Sequence, residues 1–301
     1  MPGKLISNLL IILCAVFVID FTTGRILRYF YFHEESGLHY RTTYSMDSTK
    51  ADILIIGSSR ANHHYVPSVF EDSIKKTFYN SGRDGNGTFY QLALIKTIFK
   101  RYTPKIIIFD YSSIFVKGAE EYDQMASLLP YYRTHKEIRS LVELRSPLEK
   151  IKLFSEIYPF NSQLLTIAAG NLEMNKKRVA DTKGYVPLNR EWPFPLDSIP
   201  DQTFQQIDTV KVNAFRECLN ISKKSGVQVF VVCSPIFQKY KINQQIDMCK
   251  QICNEEGIPF WDFSKDTFFL TNKQLFKDQL HLNDKGAIIF SNIIASKIKH
   301  Y

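Results

Sequence analysis

The chain has 301 residues, of which 45% are hydrophobic and 23% are charged, and this composition excludes an intrinsically disordered protein. Its formal net charge of +8 favours contact with anionic surfaces such as phospholipid or acidic polymers. The excess charge comes from scattered lysines without a recognition motif, so we interpret it as a solvated basic surface and expect no nucleic-acid partner.

The first predicted element is a membrane-spanning helix over residues 5–23, preceded by Lys4. Asp20 interrupts the apolar run, but the whole stretch approaches the ~20 residues that cross a bilayer. A cleaved signal peptide competes with this interpretation, although no small-x-small cleavage site follows the apolar core. We therefore predict a single-pass anchor or signal-anchor at residues 1–24, followed by a juxtamembrane spacer at residues 25–50.

From residue 51 onward, short apolar runs alternate with amphipathic stretches. The runs predict five strands, at residues 51–56, 78–80, 105–110, 227–233 and 258–262. Helices are predicted at residues 66–76, 88–99, 206–224, 241–256 and 284–297. This alternation predicts a three-layer, doubly wound α/β domain with a mostly parallel five-stranded sheet. Ligands of such domains bind at the carboxyl ends of the strands.

Residues 114–205 interrupt this alternation. They are rich in proline and aromatic residues, with helical pieces expected only at 135–157. We interpret them as an insertion within the domain at 51–301. Tyr131-Tyr132 and Trp192-Pro193-Phe194 either line a sugar site or pack the insertion on the sheet, and we favour packing.

Metal and cofactor signals are weak. His63 and His64 are adjacent, but no further ligands follow at a suggestive spacing, and no C-x-x-C pair exists. The glycine order in Gly82-x-x-Gly85-x-Gly87 differs from a dinucleotide fingerprint. We therefore expect neither a metal nor a cofactor. The cysteines leave the redox compartment open; they are Cys14, Cys218, Cys233, Cys249 and Cys253.

Three polar segments fall where this fold places a site. Gly57-Ser58-Ser59 follows the first strand, and Asn80-Ser81-Gly82 follows the second. Asp278 precedes His281 by three residues, just before the last helix. An aspartate so placed can orient an imidazole, which then acts as general base toward a serine hydroxyl. A glycine N–H after a strand can donate to an oxyanion.

In this order, these segments resemble the SGNH/GDSL hydrolase superfamily over about residues 51–111 and 226–300. The resemblance implies a flavodoxin-like SGNH fold and makes Ser59 the nucleophile. It implies His281 as the base, oriented by Asp278. It also assigns the oxyanion hole to the backbone of Ser59 and to Gly82. The closing Asp-x-x-His block is the most specific part of the match.

One block departs from the family. The family's third block supplies an asparagine side chain to the oxyanion hole, whereas strand three here runs into Asp110-Tyr111-Ser112-Ser113. Losing one oxyanion donor typically costs ~10²–10³ in rate. Ser112 or Ser113 is the candidate substitute. Arg60 and Arg83 flank the predicted crevice and are candidates for binding an anionic substrate.

The resemblance extends to membrane-anchored members that transfer acyl groups on envelope polymers, such as the extracytoplasmic SGNH protein of lipoteichoic acid D-alanylation. It implies a serine esterase or O-acyltransferase outside the cytoplasm, acting on an acyl ester, with acetyl favoured, of an envelope glycan or polymer. A multi-pass membrane acyltransferase is the implied protein partner. The alternatives are an inactive SGNH scaffold that binds a glycan or such a partner, and an unrelated doubly wound domain.

Overall fold

A computed structural model describes residues 2–112, 115–118, 120–174, 183–201 and 206–301. The chain divides into two compact units. The first comprises Met1–Tyr40 and Met125–Arg178, and the second comprises Arg41–Gln124 and Val179–Tyr301. The boundaries proposed from the sequence, at residues 24 and 50, stay a prediction.

The first unit contains one long helix, α1 (Pro2–Phe32). This helix is long and apolar enough to cross a membrane, a test that N-terminal signal sequences also pass. It continues through residues 25–32 of the predicted spacer, and α2 (Gly37–Asp47), which follows it, has residues 41–47 in the second unit. The rest of the unit consists of short α- and 3₁₀-helices at Met125–Tyr131, Lys136–Ile138, Arg139–Glu143, Glu149–Lys152, Tyr158–Phe160 and Leu164–Asn171.

The second half of α1 packs against these short helices. Tyr31 is fully buried, and its ring meets those of Tyr131 and Phe160 at centroid distances of 5.8 Å and 5.6 Å. Tyr131 therefore packs against α1 within the first unit, and not on the sheet as the sequence analysis favoured.

A five-stranded parallel sheet forms the centre of the second unit, in the order β2-β1-β3-β4-β5. Its strands are β1 (Ile53–Gly57), β2 (Phe78–Asn80), β3 (Ile106–Asp110), β4 (Gln228–Cys233) and β5 (Phe260–Asp262). Its main helices are α3 (Ser59–His64), α4 (Pro67–Ile74), α5 (Thr88–Ile98), α6 (Thr209–Lys224), α7 (Gln244–Glu256) and α8 (Asp284–Lys299). Shorter pieces lie at Glu120–Gln124, Thr267–Thr271 and Lys273–Leu275, with a two-stranded ladder of Asp197–Ser198 and Gln238–Lys239.

The sheet is covered on both faces. All five residues of β1 and of β3 are buried, as expected for parallel strands with helices on each side. On one face α8 packs against α3 and α4, and on the other α5 packs against α6. This confirms the predicted three-layer, flavodoxin-like architecture. Trp192 packs against the core cluster of the first face, in keeping with the favoured packing role.

Strand register brings the carboxyl ends of the two central strands level. Gly57 pairs with Asp110 at the end of the β1–β3 ladder. From β1, the chain adds β2 on one side and then β3, β4 and β5 on the other, so the direction of winding reverses between β1 and β3. Ligands of open α/β sheets bind at such a switch point. The helix α3, which was not predicted from the sequence, begins here.

Candidate active site

Ser59 is the first residue of α3, two residues beyond the end of β1. The turn requires glycine at position 57. A Cβ on Gly57 would lie 2.8 Å from the carbonyl oxygen of Asp110 and 2.7 Å from Cβ of Ala61. Without that Cβ, the helix can begin directly against the end of β3, with Ser59 at the carboxyl edge of the sheet.

The structure brings Ser59, His281 and Asp278 together. Oγ of Ser59 lies 2.7 Å from Nε2 of His281, across 222 positions of sequence. The other ring nitrogen, Nδ1, lies 2.9 Å and 3.0 Å from the two carboxylate oxygens of Asp278. This is the hydroxyl–imidazole–carboxylate geometry of a serine nucleophile with its base.

Asp278 is held as an anion. Burial by itself would raise its pKa, but the hydrogen bond and charge of His281 oppose this effect. The backbone N–H groups of Leu280 and His281 each donate to its Oδ1 at 2.9 Å. Together these contacts lower the pKa of Asp278 to about 2. The carboxylate is therefore ionised at neutral pH and accepts the N–H of the imidazole.

The far end of α3 holds the segment that carries His281. His64 is fully buried, and its Nε2 accepts the N–H of Leu282 at 2.9 Å. Burial lowers the pKa of His64 well below its usual value, and the nearby His281, Arg60 and His63 act in the same direction. The neutral ring keeps the acceptor that the Leu282 N–H requires, so α3 fixes both partners of the Ser59–His281 contact.

The middle of α3 binds the loop after β2. Nδ2 of Asn62 donates to one oxygen of Asp84 at 2.8 Å, and Nε2 of His63 lies 3.2 Å from the other. Burial would raise the pKa of Asp84, but His63 and Asn62 outweigh it and lower the pKa to about 2. The loop over residues 81–87 is thereby clamped to the helix that begins with Ser59.

A cavity of about 630 Å³ opens beside Ser59. Three residues of the clamped loop line it, namely Gly85, Asn86 and Gly87. Gly85 has a φ of +66°, a left-handed conformation that favours glycine. Sequence reasoning missed these positions, although the glycine spacing in the loop was a usable signal. Lys117, Glu121, Lys211, Gln238, Tyr240 and Asn243 also line the cavity, together with the aliphatic Val116, Ile199, Ile236, Ile246 and Leu280.

Comparison with known proteins adds little to this geometry. No protein-family model and no curated protein matches the sequence. Among solved structures, the chain is similar to a protein from Bacteroides fragilis described as a "putative acylhydrolase". The identity is 12%, with 88% of this chain and 96% of that chain covered and a TM-score of 0.45. At these values the similarity supports no inference about the reaction.

Gly82 is the residue whose N–H the resemblance assigns to the oxyanion hole. Its N–H donates to Oδ1 of Asn80 at 2.9 Å, so this donor is already paired within the protein. A Cβ on Gly82 would lie 2.4 Å from the backbone nitrogen of Asn62. Gly82 thus allows the loop to approach α3 closely, while Gly85 and Gly87 line the cavity.

Arg60 is engaged inside the protein. Its guanidinium donates to the carbonyl oxygens of Tyr111 and, at 3.2 Å, of Ser234, and it lies 3.7 Å from the carboxylate of Asp110. Arg60 borders the cavity, but all three guanidinium nitrogens have partners inside the protein. A role as a free anion-binding group does not fit this arrangement.

Arg83 points elsewhere. Its side chain is buried, donates to Oγ1 of Thr42 and lies over the ring of Tyr90 at 5.7 Å. The substrate-binding role predicted for it has no support in this placement.

The remaining candidates divide between the cavity and the undescribed part of the chain. Ser112 lines the cavity, whereas Ser113 lies outside the described residues. His63 and His64 make the protein contacts given above. Within the described residues no group of three or more His, Cys, Asp or Glu side chains could hold a metal ion.

Proposed function

We propose that this protein is a membrane-anchored, SGNH-type serine esterase or O-acyltransferase, with Ser59 as nucleophile. The contact of 2.7 Å between Ser59 Oγ and His281 Nε2 is the single observation that carries the proposal. His281 acts as general base, and Asp278 orients the imidazole and stabilises its cation.

The reaction proceeds in two transfers. Ser59 Oγ attacks the ester carbonyl while its proton passes to Nε2 of His281. The tetrahedral intermediate collapses to an acyl-Ser59 ester, and the leaving alkoxide takes the proton from His281. Water or an acceptor hydroxyl then attacks the acyl-Ser59 ester, with His281 again accepting the proton and returning it to Ser59.

The oxyanion donors come from backbone. The N–H of Ser59 lies at the first position of α3, where helix geometry leaves N–H groups without intrahelical partners. Gly85 and Gly87 line the same cavity, and we propose their N–H groups as candidates to replace the donor expected at Gly82. Ser112 is a further candidate in place of the family's missing asparagine.

The membrane assignment rests on α1. Its apolar half is exposed, while its second half packs inside the first unit, where Asp20 and Tyr31 make contacts. A helix that is also part of a packed unit favours a retained anchor over a cleaved signal. From the resemblance we propose that the catalytic unit lies outside the cytoplasm, with residues 5–23 in the bilayer.

The substrate class also follows from the resemblance. We propose an acyl ester, most simply acetyl, of an envelope glycan or polymer, with a multi-pass membrane acyltransferase as partner if the reaction is a transfer. Because Gly82 is paired internally and the third-block asparagine is missing, the alternative is an inactive scaffold that binds the same glycan or partner.

The test uses the full chain in detergent or lipid. We expect a fluorophosphonate probe to label the protein and p-nitrophenyl acetate to be hydrolysed. Ser59→Ala should abolish labelling and lower turnover on the order of 10⁴-fold or more. Ser68→Ala, on the exposed face of α4, is the matched control and should behave as wild type. Absence of labelling in a folded wild-type protein would favour the scaffold.

A further inference from the structure

A row of apolar side chains is exposed on the first unit. Leu148, Ile151 and Phe154 are 56%, 63% and 83% exposed. Ile151 lies in the short helix Glu149–Lys152, Leu148 directly precedes it and Phe154 follows it by two residues. The N–H of Ile151 donates to the carbonyl oxygen of Leu148, and that of Phe154 to the carbonyl oxygen of Ile151, so successive turns of three residues bring the three positions to the same side. Contiguous exposed apolar side chains on a soluble surface are unfavourable and mark an interaction site. We call this row the apolar face.

The apolar face adjoins α1. Directly after Phe154, Oγ of Ser155 donates to Asp20 at 2.5 Å, and the N–H of Glu156 donates to the same carboxylate at 2.7 Å. One turn further along α1, Gly24 lies so close to Glu156 that a Cβ would be 2.3 Å from its backbone carbon. The apolar face is therefore attached to α1 between residues 20 and 24.

The length of α1 sets the depth of this attachment. The stretch from Lys4 to Gly24 rises roughly 30 Å at ~1.5 Å per residue, which matches the hydrocarbon thickness of a bilayer. Asp20 then lies within about one turn of the hydrocarbon boundary. A carboxylate at that depth needs hydrogen-bond donors, and Ser155 and Glu156 supply them. This accounts for an aspartate in an otherwise apolar helix.

Basic side chains accompany the apolar face. Lys150 and Lys152 are exposed on the same short helix, where their ammonium groups lie 3.2 Å from Glu143 and 3.4 Å from Glu149. Apolar side chains flanked by lysine are typical of segments that lie in the membrane interface, with the cations toward anionic lipid phosphates.

We propose that Leu148, Ile151 and Phe154 insert into the interface of the bilayer that α1 crosses. The occupant of the apolar face is lipid, and the short helix lies along the membrane surface beside the anchor. The inference rests on the membrane anchoring proposed above. It gives residues 148–154 a function, which is to fix the tilt of α1 at the point where this helix leaves the bilayer.

The experiment measures the depth of single introduced tryptophans in the full chain, reconstituted in vesicles of phosphatidylcholine and phosphatidylglycerol. Nitroxide-labelled lipids carry the quencher either at the headgroup or at mid-chain. Phe154→Trp reports the apolar face, and Phe17→Trp reports the exposed apolar half of α1. The matched control is Phe268→Trp, 47% exposed in the second unit. The unsubstituted chain supplies the background of Trp192 and Trp261.

We expect headgroup nitroxide to quench the Phe154→Trp variant at least about twofold more than the Phe268→Trp control. Mid-chain nitroxide should quench the Phe17→Trp variant most, because position 17 lies nearest the middle of the bilayer among the three substituted positions.

Three other outcomes would overturn the inference. Quenching in Phe17→Trp without quenching in Phe154→Trp would show that lipid does not contact the apolar face, although α1 spans the bilayer. Absence of quenching in both variants would overturn the anchor as well. In Phe154→Trp, shielding of the new indole from aqueous iodide without nitroxide quenching would identify a protein occupant, either a second copy or a membrane partner, and would overturn the lipid assignment.

Discussion

At the scale of single residues, the proposed mechanism assigns Asp278 the orientation of His281 toward Ser59. We expect Asp278→Asn to lower kcat about 10⁴-fold, because a neutral amide does not stabilise the imidazolium and permits the wrong tautomer. The esterase assay measures this change. Asp72→Asn, an exposed position on α4, is the matched control and should leave kcat unchanged. A comparable loss in both variants would contradict a role specific to Asp278.

The same carboxylate gives a pH effect on stability. Its pKa falls from about 3.9 in an unfolded chain to about 2 in the fold. The ionised carboxylate therefore makes its full contribution to the free energy of unfolding above pH ~4, and this contribution is lost as the pH falls through ~2. We expect Asp278→Asn to lower the free energy of unfolding by about 1–2 kcal/mol at pH 6, allowing for partial exposure, and by less toward pH 2. Urea unfolding at several pH values tests this, and a difference independent of pH would contradict it.

A comparison of Gly85 with Gly226 separates the effect of backbone strain on stability from an effect on kcat. Its φ is +66° and a Cβ would meet nothing within 4 Å, while Gly226, in the turn before β4, has a φ of +76° and equally open surroundings. We expect alanine at either position to cost about 1–2 kcal/mol of stability. Only Gly85→Ala should also lower kcat, about tenfold to hundredfold, because Gly85 lines the cavity and alanine disfavours its positive φ, so the substitution would displace the backbone N–H that we propose as an oxyanion donor. Equal kcat in the two variants would contradict the proposed role of Gly85 as an oxyanion donor.

At the scale of elements, α3 assembles the site. One short helix begins with Ser59, clamps the loop after β2 through Asp84, and holds the segment of His281 through His64. Arg60 adds contacts to the ends of β3 and β4, through the carbonyl oxygens of Tyr111 and Ser234. The helix thus gathers groups from four separate parts of the chain.

A substitution of Arg60 tests this structural role. We expect Arg60→Met to destabilise the protein by about 3–5 kcal/mol, because it leaves the buried Asp110 and the carbonyl oxygens of Tyr111 and Ser234 without their cationic partner. The double variant Arg60→Met with Asp110→Leu should lose less than the sum of the single variants. Chemical unfolding measures both. Unchanged stability with a raised KM for an anionic ester would instead favour substrate binding by Arg60.

At the scale of the whole molecule, the chain pairs its N-terminal helix with its middle, while the sheet is built from the segments on either side of that middle. Asp20 is the polar contact that joins α1 to residues 155–157. Removing it should loosen the first unit and leave the sheet unit unaffected.

We expect Asp20→Leu to raise hydrogen–deuterium exchange at Glu156 about tenfold, as the loss of one partly buried hydrogen bond to a carboxylate implies. Mass spectrometry on the full chain in lipid discs measures the exchange. Thr22→Leu adds the same apolar side chain at an exposed position of α1 and should leave exchange unchanged. Equal exchange in the two variants would show that Asp20 is dispensable for the packing of the first unit.

Local pattern predicted most of the sheet unit. Buried parallel strands require continuous apolar runs, so β1, β3 and β4 were visible as such, and the amphipathic α5 and α6 were visible by their period. The Asp-x-x-His pair was readable because both residues are close in sequence, and the Gly-Ser-Ser turn because it follows a strand.

The sequence by itself thus determined the strand–helix alternation, the apolar N-terminal helix and the residue types of the candidate triad. Only the tertiary structure decided that α3 exists, that Gly82 is paired internally while Gly85 borders the cavity, and that Arg60 is buried. It also paired Asp20 with the middle of the chain. The physical reason is range: periodicity and turn chemistry act within a few residues, whereas the partner of a buried polar group is chosen by packing across the fold, as in the contact of 2.7 Å that joins residues 222 positions apart.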